Sequence, residues 1–345
     1  MNGMISNHIA NRDMAGQVRP LRLGFLGVGW IGLNRMRALT QSGVAEAVAI
    51  ADPSPQMIKE AKTISPEARH VASLDDLLTE SLDGLVIATP SANHALQSIQ
   101  TLEAGMAVFC QKPLGRTAAE VRAVVSAARA ADRLLGVDLS YRHTRAMQAV
   151  RTIAQSGELG KIFSVDVTFH NAYGPDKAWF YDKSLSGGGC VIDLGVHLID
   201  LVLWILNFPG IIDVSSRLMR EGEVLTSPSD AVEDYALATL ELEGGTTVRL
   251  ACSWRLQAGR DAVIEAQLFG TNGGCAFKNV EGSFYDFTAE RYRGTQRETL
   301  VEPPDDWGGR AAIGWARRLH RNSGFDPECE SSIGVAEAIE RIYGI

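Results

Sequence analysis

The chain has 345 residues, which is long enough for two domains that each bury their own core. With 46% hydrophobic and 21% charged residues, its composition is that of an ordinary globular enzyme. The net charge is −8 and no lysine or arginine cluster occurs, which argues against nucleic acid and membrane surfaces as partners. No uninterrupted apolar run reaches the roughly 20 residues that span a bilayer.

Two further features point to a cytoplasmic protein. Residues 1–19 lack the apolar core of a signal peptide, so we expect a flexible leader there. The five cysteines are odd in number, far apart and never spaced as C-x-x-C, which predicts neither a disulfide framework nor a zinc site. We therefore expect buried free thiols and no bound metal. The cysteines are Cys110, Cys190, Cys252, Cys275 and Cys329.

The first part of the chain, residues 20–140, alternates strand-like and helix-like segments. The predicted strands are Leu21–Leu26, Val44–Ala51, Leu85–Thr89, Ala107–Cys110 and Leu134–Leu139. The predicted helices are Asn34–Ser42, Ser54–Thr63, Leu74–Leu78, Asn93–Ala104 and Ala118–Ala131. Near-continuous apolar strands in this alternation predict a doubly wound parallel sheet, a Rossmann-type α/β domain.

From residue 141 to 345 the pattern changes to an α+β domain. A helix over Ala146–Ser156 and an apolar helix over Cys190–Leu206 are predicted, with two closing helices near Arg310–Arg321 and Glu328–Tyr343 that could pack back on the first domain. The predicted strands are Lys161–His170, Ile211–Met219, Asp234–Leu242, Thr247–Ser253, Ala262–Phe269, Gly274–Phe277 and Phe284–Phe287. Gly-Gly and Asn-Gly turns between them predict a mostly antiparallel sheet. We expect this second domain to bind substrate and to support oligomerisation.

A glycine-rich motif marks the end of the first predicted strand. Gly27, Gly29 and Gly32 form a G-x-G-x-x-G, and Asp52 closes the next apolar strand. The glycines allow a tight turn, close approach of a pyrophosphate and close packing of the following helix, whose N-terminus favours anions. A preceding strand, a following helix and an acidic residue at this distance together predict dinucleotide binding, with Trp30 and Ile31 in the same loop.

Ligands of doubly wound sheets lie at the carboxyl ends of the strands. We therefore expect the segments that follow the third and fourth predicted strands to face the same crevice as the glycine motif. The additional candidate cofactor-binding residues are Thr89, Pro90, Asn93, His94, Gln111 and Lys112. Ser91 or Asn93 could cap the next helix, and we favour a positional role over a catalytic one for His94.

Three polar residues are candidates for the chemistry. Lys112 directly follows an apolar strand at the ligand end of the sheet, where it could donate to a substrate hydroxyl; the alternative is a surface lysine in a turn. Asp193 and His197 are four residues apart on an otherwise apolar helix, so they share a face that lines a cleft or pairs internally. A histidine has the pKa range for taking a proton from an alcohol, and Asp193 could orient it. A metal site is the weaker interpretation because the spacing supplies no third ligand.

With these motifs in order, the chain resembles the Gfo/Idh/MocA family, which includes glucose-fructose oxidoreductase and inositol 2-dehydrogenase. The matching elements are the glycine motif, Thr89-Pro90-x-x-x-His94, Lys112-Pro113-Leu114, Gly157-Glu158-Leu159-Gly160 and the run from Gly187 to Asp200. The resemblance implies a Rossmann domain, a second domain with an open antiparallel sheet, and a catalytic group formed by Lys112, Asp193 and His197. His197 would be the general base, with Lys112 assisting.

One position departs from the family pattern. The family usually has Glu-Lys-Pro where this chain has Gln111-Lys112-Pro113. A glutamine keeps the shape and the hydrogen-bonding reach of glutamate but removes a charge beside Lys112, which could shift cofactor affinity or the pH profile.

These observations predict an NAD(H)-dependent dehydrogenase that oxidises a secondary alcohol of a sugar, cyclitol or sugar-derived polyol. Tyr141, His170 and Trp179 are candidate substrate-binding residues, although Trp179 could equally be a core residue. Asp52 predicts a preference for NAD over NADP because a carboxylate repels a 2′-phosphate. The long strands and the family resemblance predict a homodimer or homotetramer. An NAD-dependent glycosidase and a non-catalytic NAD(H) sensor are the alternatives.

Overall fold

The computed structural model describes residues 19–226 and 231–345, so the predicted leader lies almost entirely outside the described residues. A first sheet is parallel, as the sequence predicts, and contains six strands, one more than the five expected, in the order β3-β2-β1-β4-β5-β6. The strands are β1 (Leu21–Leu26), β2 (Ala45–Ala51), β3 (Arg69–His70), β4 (Gly84–Ile87), β5 (Ala107–Cys110) and β6 (Leu135–Val137). Because the order reverses between β1 and β4, the carboxyl ends of these two strands open a crevice for a ligand.

Five helices connect these strands. They are α1 (Trp30–Gln41), α2 (Pro55–Ile64), α3 (Leu74–Leu78), α4 (Ser91–Glu103) and α5 (Ala118–Ala131). Two separate apolar clusters, one on each side of the sheet, show that the helices cover both faces. This arrangement is the Rossmann fold expected from the alternation of apolar strands and helices.

The second sheet has nine strands in the order β15-β14-β13-β12-β7-β11-β10-β8-β9. They are β7 (Ile162–Asn171), β8 (Ile211–Arg220), β9 (Glu223–Val224), β10 (Tyr235–Leu242), β11 (Thr246–Ser253), β12 (Ala262–Gly270), β13 (Gly274–Asn279), β14 (Phe287–Arg293) and β15 (Gln296–Val301). All pairs are antiparallel except β7 with β11. The predicted mostly antiparallel sheet is therefore confirmed.

The helices of the second part are α6 (Arg145–Ser156), α7 (Lys183–Ser186), α8 (Val196–Ile205), α9 (Arg310–Arg321) and α10 (Ser331–Tyr343). Helices α6 and α8 pack with the inner face of the nine-stranded sheet in one apolar core. Nine of the ten residues of α8 are buried, and His197 is the exception. The stretch Lys183–Ile205 is long and apolar enough to cross a membrane, but 89% of its apolar window is buried inside the protein. It is a core helix.

The closing helices pack in different places. Helix α9 joins the apolar core of the first sheet, where Trp315 is 1% exposed and its ring centroid lies 5.6 Å from that of Phe109. Helix α10 contacts α5 on one side and α8 and β8 on the other, so it bridges the two parts of the chain. These contacts fix the first sheet relative to the second.

Four strands differ from the sequence-based expectation. The strand expected at Phe284–Phe287 lies further along the chain, at Phe287–Arg293, and β15 was not predicted. β14 carries Glu290, Arg291 and Arg293 among its apolar residues, and β15 begins with four exposed polar residues, so the apolar alternation that signals a strand is masked. The two-residue strands β3 and β9 were also missed because they are too short to show a period.

Candidate active site

The glycine-rich loop connects β1 to α1 with the geometry that its spacing predicts. Gly27 has a φ of +81°, and a Cβ there would lie 2.7 Å from the main-chain carbonyl group of Ala88. At Gly32 a Cβ would lie 2.3 Å from the carbonyl oxygen of Gly27, so the helix packs directly on the turn. At Gly29 a Cβ would contact nothing within 4 Å, which leaves the approach to the N-terminus of α1 open.

This loop fits a dinucleotide. Helix α1 has no acidic residue in its first turn and its N-cap, Gly29, offers no side chain, so the first N–H groups remain available to a pyrophosphate. Trp30 begins the helix and is 67% exposed, beside the half-buried Ile31. These residues would hold the pyrophosphate and cover it.

Asp52 fastens the same loop to the end of β2. One carboxylate oxygen accepts from the N–H of Val28 and the other from the N–H of Ser54, each at 2.8 Å. A carboxylate oxygen has two lone pairs, so both can still accept from ribose hydroxyls. Asp52 therefore shapes the loop and keeps further acceptor capacity at the carboxyl end of the sheet.

The segment after β4 is held by a buried histidine. The two ring nitrogens of His94, which is 2% exposed, lie 2.7 Å from the carbonyl oxygens of Pro113 and Thr89. Burial lowers the pKa of His94, and the contacts with the two carbonyl oxygens raise it by less. The imidazole thus fixes the loop after β4 to the loop that carries Lys112. Helix α4 begins at Ser91 after Pro90, so the expected side-chain cap from Ser91 or Asn93 is wrong; Asn93 is exposed.

The buried side chain of Gln111 faces a carboxylate. Its amide donates to Asp138 Oδ2, which also accepts from Arg35 Nε at 2.5 Å, while Ser140 Oγ donates to Asp138 Oδ1 at 2.5 Å. A glutamate at position 111 would bring a second carboxylate against Asp138 with one guanidinium between them. The neutral amide is the side chain that this cluster accommodates, which explains the departure from the usual family residue.

Lys112 crosses the cleft to the second part of the chain. Its Nζ donates to the main-chain oxygen of Asp193 at 2.7 Å and to Asp193 Oδ1 at 2.8 Å. The Lys112–Pro113 peptide bond is cis. The side chains of Lys112 and Asp193 are 20% and 16% exposed, so this ion pair is largely, though not fully, withdrawn from water. Lys112 is not a surface lysine in a turn.

Asp193 lies in a widened helical turn. Residues Val191–Gly195 form a π turn, in which the N–H of Val196 reaches the carbonyl oxygen of Val191, before α8 continues the helix. Such turns are frequent at functional sites. The single continuous helix expected from Cys190 to Leu206 is therefore interrupted here.

The N-terminus of that π turn rests on a buried glutamate. Glu233, which is 2% exposed, accepts from the N–H groups of Gly189 and Val191 at 3.0 and 2.9 Å and from Tyr343 Oη at 2.8 Å. Burial raises the pKa of Glu233, and these donors oppose the rise. Glu233, in the segment before β10, and Tyr343 of the last helix thus hold the start of the π turn that contains Asp193.

His197 lies at the start of α8 and is half-buried against aromatic rings. Its ring centroid is 4.9 Å from that of Tyr141 in an edge-on arrangement and 6.4 Å from that of Phe169. The surrounding protein lowers its pKa well below the ordinary 6.5, and the charges of Lys112 and Arg35 lower it further. The imidazole is therefore neutral near pH 7, in the form that accepts a proton.

The three candidate substrate-binding residues have different positions. Tyr141 is 9% exposed and packs against His197, within the aromatic wall of the site. Trp179 is half-buried and lies outside the apolar core. It stacks on Phe180, with 3.8 Å between the two ring centroids. His170 lies on the opposite face of its strand from the group around His197. Successive residues of β7 point to opposite faces, so Phe169 faces His197 while His170 faces the outer side, where it contacts Ser253 and stacks on Tyr235.

Sequence reasoning missed several residues that shape the site. Trp254 donates its indole N–H to Asp193 Oδ2 at 3.0 Å, and Glu233, Arg35 and Asp138 hold the surrounding loops. Only Asp138, which lies one residue before the end of a predicted strand at the ligand edge of the sheet, carried a signal comparable to that of Asp52. Within residues 19–226 and 231–345, no group of three or more His, Cys, Asp or Glu side chains is placed to hold a metal ion.

A Rossmann sheet whose strand ends meet an Asp–Lys pair and a neutral histidine defines a nucleotide-dependent oxidoreductase. Residues 21–139 match the oxidoreductase family with an NAD-binding Rossmann fold, and residues 147–276 match the GFO/IDH/MocA C-terminal domain. The chain belongs to the GFO/IDH/MocA family of oxidoreductases, and its first part is an NAD-binding domain.

Named relatives agree with this assignment. D-glucoside 3-dehydrogenase of Escherichia coli (strain K12) is 25% identical over 271 residues, which are 74% of this chain and 76% of that protein. Inositol 2-dehydrogenase of Rhodococcus erythropolis is 27% identical over 307 residues, 87% of this chain and 80% of that protein. The structure of levoglucosan dehydrogenase with NADH and levoglucosan has a TM-score of 0.79 at 20% identity, covering 94% of this chain and 96% of that one. At this identity the structural similarity establishes the fold.

Proposed function

We propose that this protein transfers a hydride between NAD(H) and a secondary alcohol of a sugar, cyclitol or sugar-derived polyol. The observation that carries the proposal is the contact of Lys112 with Asp193 across the cleft, beside a neutral His197. Three of the relatives whose names are known are a glucoside, a levoglucosan and an inositol dehydrogenase, which supports polyhydroxylated substrates.

The catalytic roles follow from charge and position. Bound NAD supplies a hydride acceptor at its nicotinamide. His197 takes the hydroxyl proton of the substrate, since a neutral imidazole can accept it. The ammonium group of Lys112 donates a hydrogen bond to the substrate oxygen, where negative charge develops as the proton leaves. Asp193 holds that ammonium group in place. Closure of the cleft around both reactants lowers the entropic barrier.

A screen of sugars, polyols and inositols with NAD, followed by absorbance of the reduced nicotinamide, tests this proposal. We expect turnover with at least one polyhydroxylated substrate and at least about a hundredfold less with the Lys112→Ala variant, which controls for contaminating dehydrogenases. Absence of turnover with every member of the screen in both reaction directions would contradict the proposal.

Two alternatives use the same fold. An NAD-dependent glycosidase would release a free sugar from a glycoside without net formation of NADH, and the same screen with glycosides separates it from a dehydrogenase. A non-catalytic sensor would bind NAD(H) without turnover. The Lys112–Asp193 contact and the neutral His197 favour an enzyme, because binding alone does not require them.

We also propose that NAD is preferred over NADP. Asp52 directly follows β2 and would repel a 2′-phosphate, and no arginine or lysine follows before Lys59. The other proposed contacts to NAD are from Thr89, Pro90, Asn93, His94 and Gln111. Competitive binding of the two cofactors measures the preference, and tighter binding of NADP would overturn it.

The outer face of the nine-stranded sheet supports a homodimer or homotetramer. Leu237 is 41% exposed on this face, next to the Arg249–Asp166 ion pair, while α9 packs on the first sheet instead. A second copy would cover this surface. Light scattering that gives only a 37.3 kDa particle at micromolar concentration would contradict oligomerisation.

A cytoplasmic location remains a prediction and rests on the five cysteines, which are all buried and free.

A further inference from the structure

The carboxylate of Asp193 is held from two opposite sides. Lys112 Nζ lies 2.8 Å from Oδ1, and the indole Nε1 of Trp254 lies 3.0 Å from Oδ2. The lysine follows β5 of the first sheet, and the tryptophan follows β11 of the second sheet. Asp193 is therefore one of the points at which the two parts of the chain meet through side-chain hydrogen bonds, and it receives a donor from each part.

The indole of Trp254 has a fixed direction. Trp254 is 4% exposed, and its main-chain N–H donates to the carbonyl oxygen of Asp234 at 2.8 Å. The rings of Phe180 and Tyr181 pack against it at centroid distances of 6.4 and 5.7 Å. The indole N–H can donate a hydrogen bond but cannot accept one, so its partner must be an acceptor, as the carboxylate of Asp193 is.

A carboxylate without this second donor could rotate about its Cβ–Cγ bond and pull Lys112 out of position. Hydrogen bonds to an ionised acceptor are shorter and about twice as strong as those between neutral groups. We propose that Trp254 is a positioning residue, which fixes the orientation of the Asp193 carboxylate and through it the ammonium group of Lys112. The inference rests on the proposed function, because it assigns Trp254 to the same reaction.

A purely structural role for Trp254 is the competing explanation. Loss of a buried indole leaves a cavity wherever it occurs, so lower stability alone does not distinguish the two roles. Trp315 is the matched control. It is 1% exposed, belongs to the core of the first sheet, and its Nε1 finds no acceptor within the described part of the chain.

The kinetic test is a double-mutant cycle. We expect Trp254→Phe to lower kcat/KM by about tenfold to a hundredfold, which is the size of one hydrogen bond to a charged group. In an Asp193→Ala background the same substitution should cost less than about twofold, because the group that Trp254 orients is gone. Trp315→Phe should leave kcat/KM within about twofold in both backgrounds. Equal losses from Trp254→Phe in both backgrounds would overturn the proposal.

A second measurement does not depend on turnover. With 15N-labelled tryptophan, the indole N–H resonance of Trp254 is assigned by its absence in Trp254→Phe. We expect Asp193→Ala to move this resonance upfield and Asp166→Ala, on the outer sheet face, to leave it in place. An unmoved resonance in Asp193→Ala would overturn the contact. If the wild-type protein turns over no substrate, the proposed function fails, and the resonance alone decides whether Trp254 holds Asp193.

Discussion

The wall of the cleft that comes from the six-stranded sheet presents mainly main-chain groups, whereas the opposite wall presents side chains. The glycine loop and the first turn of α1 offer N–H groups, and a single carboxylate, Asp52, fastens them. The opposite wall offers Asp193, His197 and Trp254, from a π turn, a helix and a strand end. Substitutions that add atoms should therefore disturb the wall of main-chain groups. Substitutions that remove side-chain atoms should disturb the opposite wall.

The largest effect should come from removing the reactive groups of the second wall and of the lysine that crosses to it. We expect Lys112→Ala and His197→Ala each to lower kcat by about a hundredfold to ten-thousandfold, because each removes a group positioned to donate or accept a hydrogen bond at the substrate oxygen. Dissociation constants for NAD should change less than about threefold, since the pyrophosphate is held at the other wall.

Asp193→Asn extends this test. It should be milder than the two alanine variants if Asp193 only orients Lys112, and comparably severe if its charge is required. Lys59→Ala, at an exposed position on α2, is the control. Wild-type turnover in His197→Ala would make His197 a structural helix residue and leave the proton to Lys112 or a water molecule.

Adding a single methyl group should damage the first wall. Gly27→Ala places a Cβ at a φ of +81° and 2.7 Å from the main chain of Ala88, so we expect weaker NAD binding by at least about tenfold. Gly43→Ala is the matched control because its φ is +70° but its Cβ meets nothing within 4 Å. It should cost about 1 kcal/mol of stability without changing NAD binding. Equal NAD affinities in the two variants would contradict a role for Gly27 in the cofactor loop.

The difference between the walls also decides what the sequence reveals. The glycine loop and Asp52 lie within one βαβ unit, so spacing along the chain is enough to predict their geometry. Lys112 and the Asp193–His197 pair could be predicted as separate candidates, because each interrupts an apolar pattern at a defined place. Their meeting across the cleft depends on how two sheets pack, which no local pattern encodes.

Other parts of the second wall had no sequence signal. Trp254 looks like any aromatic residue after a strand, and Glu233 like any charged residue before one. The end of β7 was predicted to within one residue, but the face of the strand on which His170 lies was not. A shift of one residue along a strand reverses which side chains reach the cleft. The fold was therefore predictable to a large extent, and the side-chain wall only in part.

A smaller effect should follow from loosening the support of the second wall. Glu233→Ala removes acceptors from two main-chain N–H groups and from Tyr343, so we expect the free energy of unfolding to fall by about 2–3 kcal/mol. Tyr343→Phe removes only one of these bonds and should cost about 1 kcal/mol. Urea denaturation measures both. A Glu233→Ala variant as stable as Tyr343→Phe would show that other groups hold the π turn.

The smallest expected effect concerns protons. The pKa of His197 is lowered well below 6.5, chiefly by the surrounding protein, whereas an unfolded chain titrates near 6.5. Below about pH 6.5 the unfolded state therefore binds more protons than the folded state, and the free energy of unfolding falls as the pH falls. Above about pH 7 His197 makes its full contribution to the free energy of unfolding. Since the imidazole is partly open to the cleft, we expect it to amount to no more than about 1 kcal/mol between pH 7.5 and 5.5.

Urea denaturation of the wild-type protein and of His197→Gln at these two pH values checks this sign. The wild-type protein should lose more stability than the variant, and His70→Gln, at an exposed position on β3, should behave like the wild type. The buried acids act in the opposite direction, since burial raises the pKa of both Glu233 and Asp200, but they are present in all three proteins and cancel in the comparison. If His197→Gln loses as much stability as the wild type, the imidazole of His197 is not held neutral by the fold, and its assignment as the base of the second wall would lose its electrostatic support.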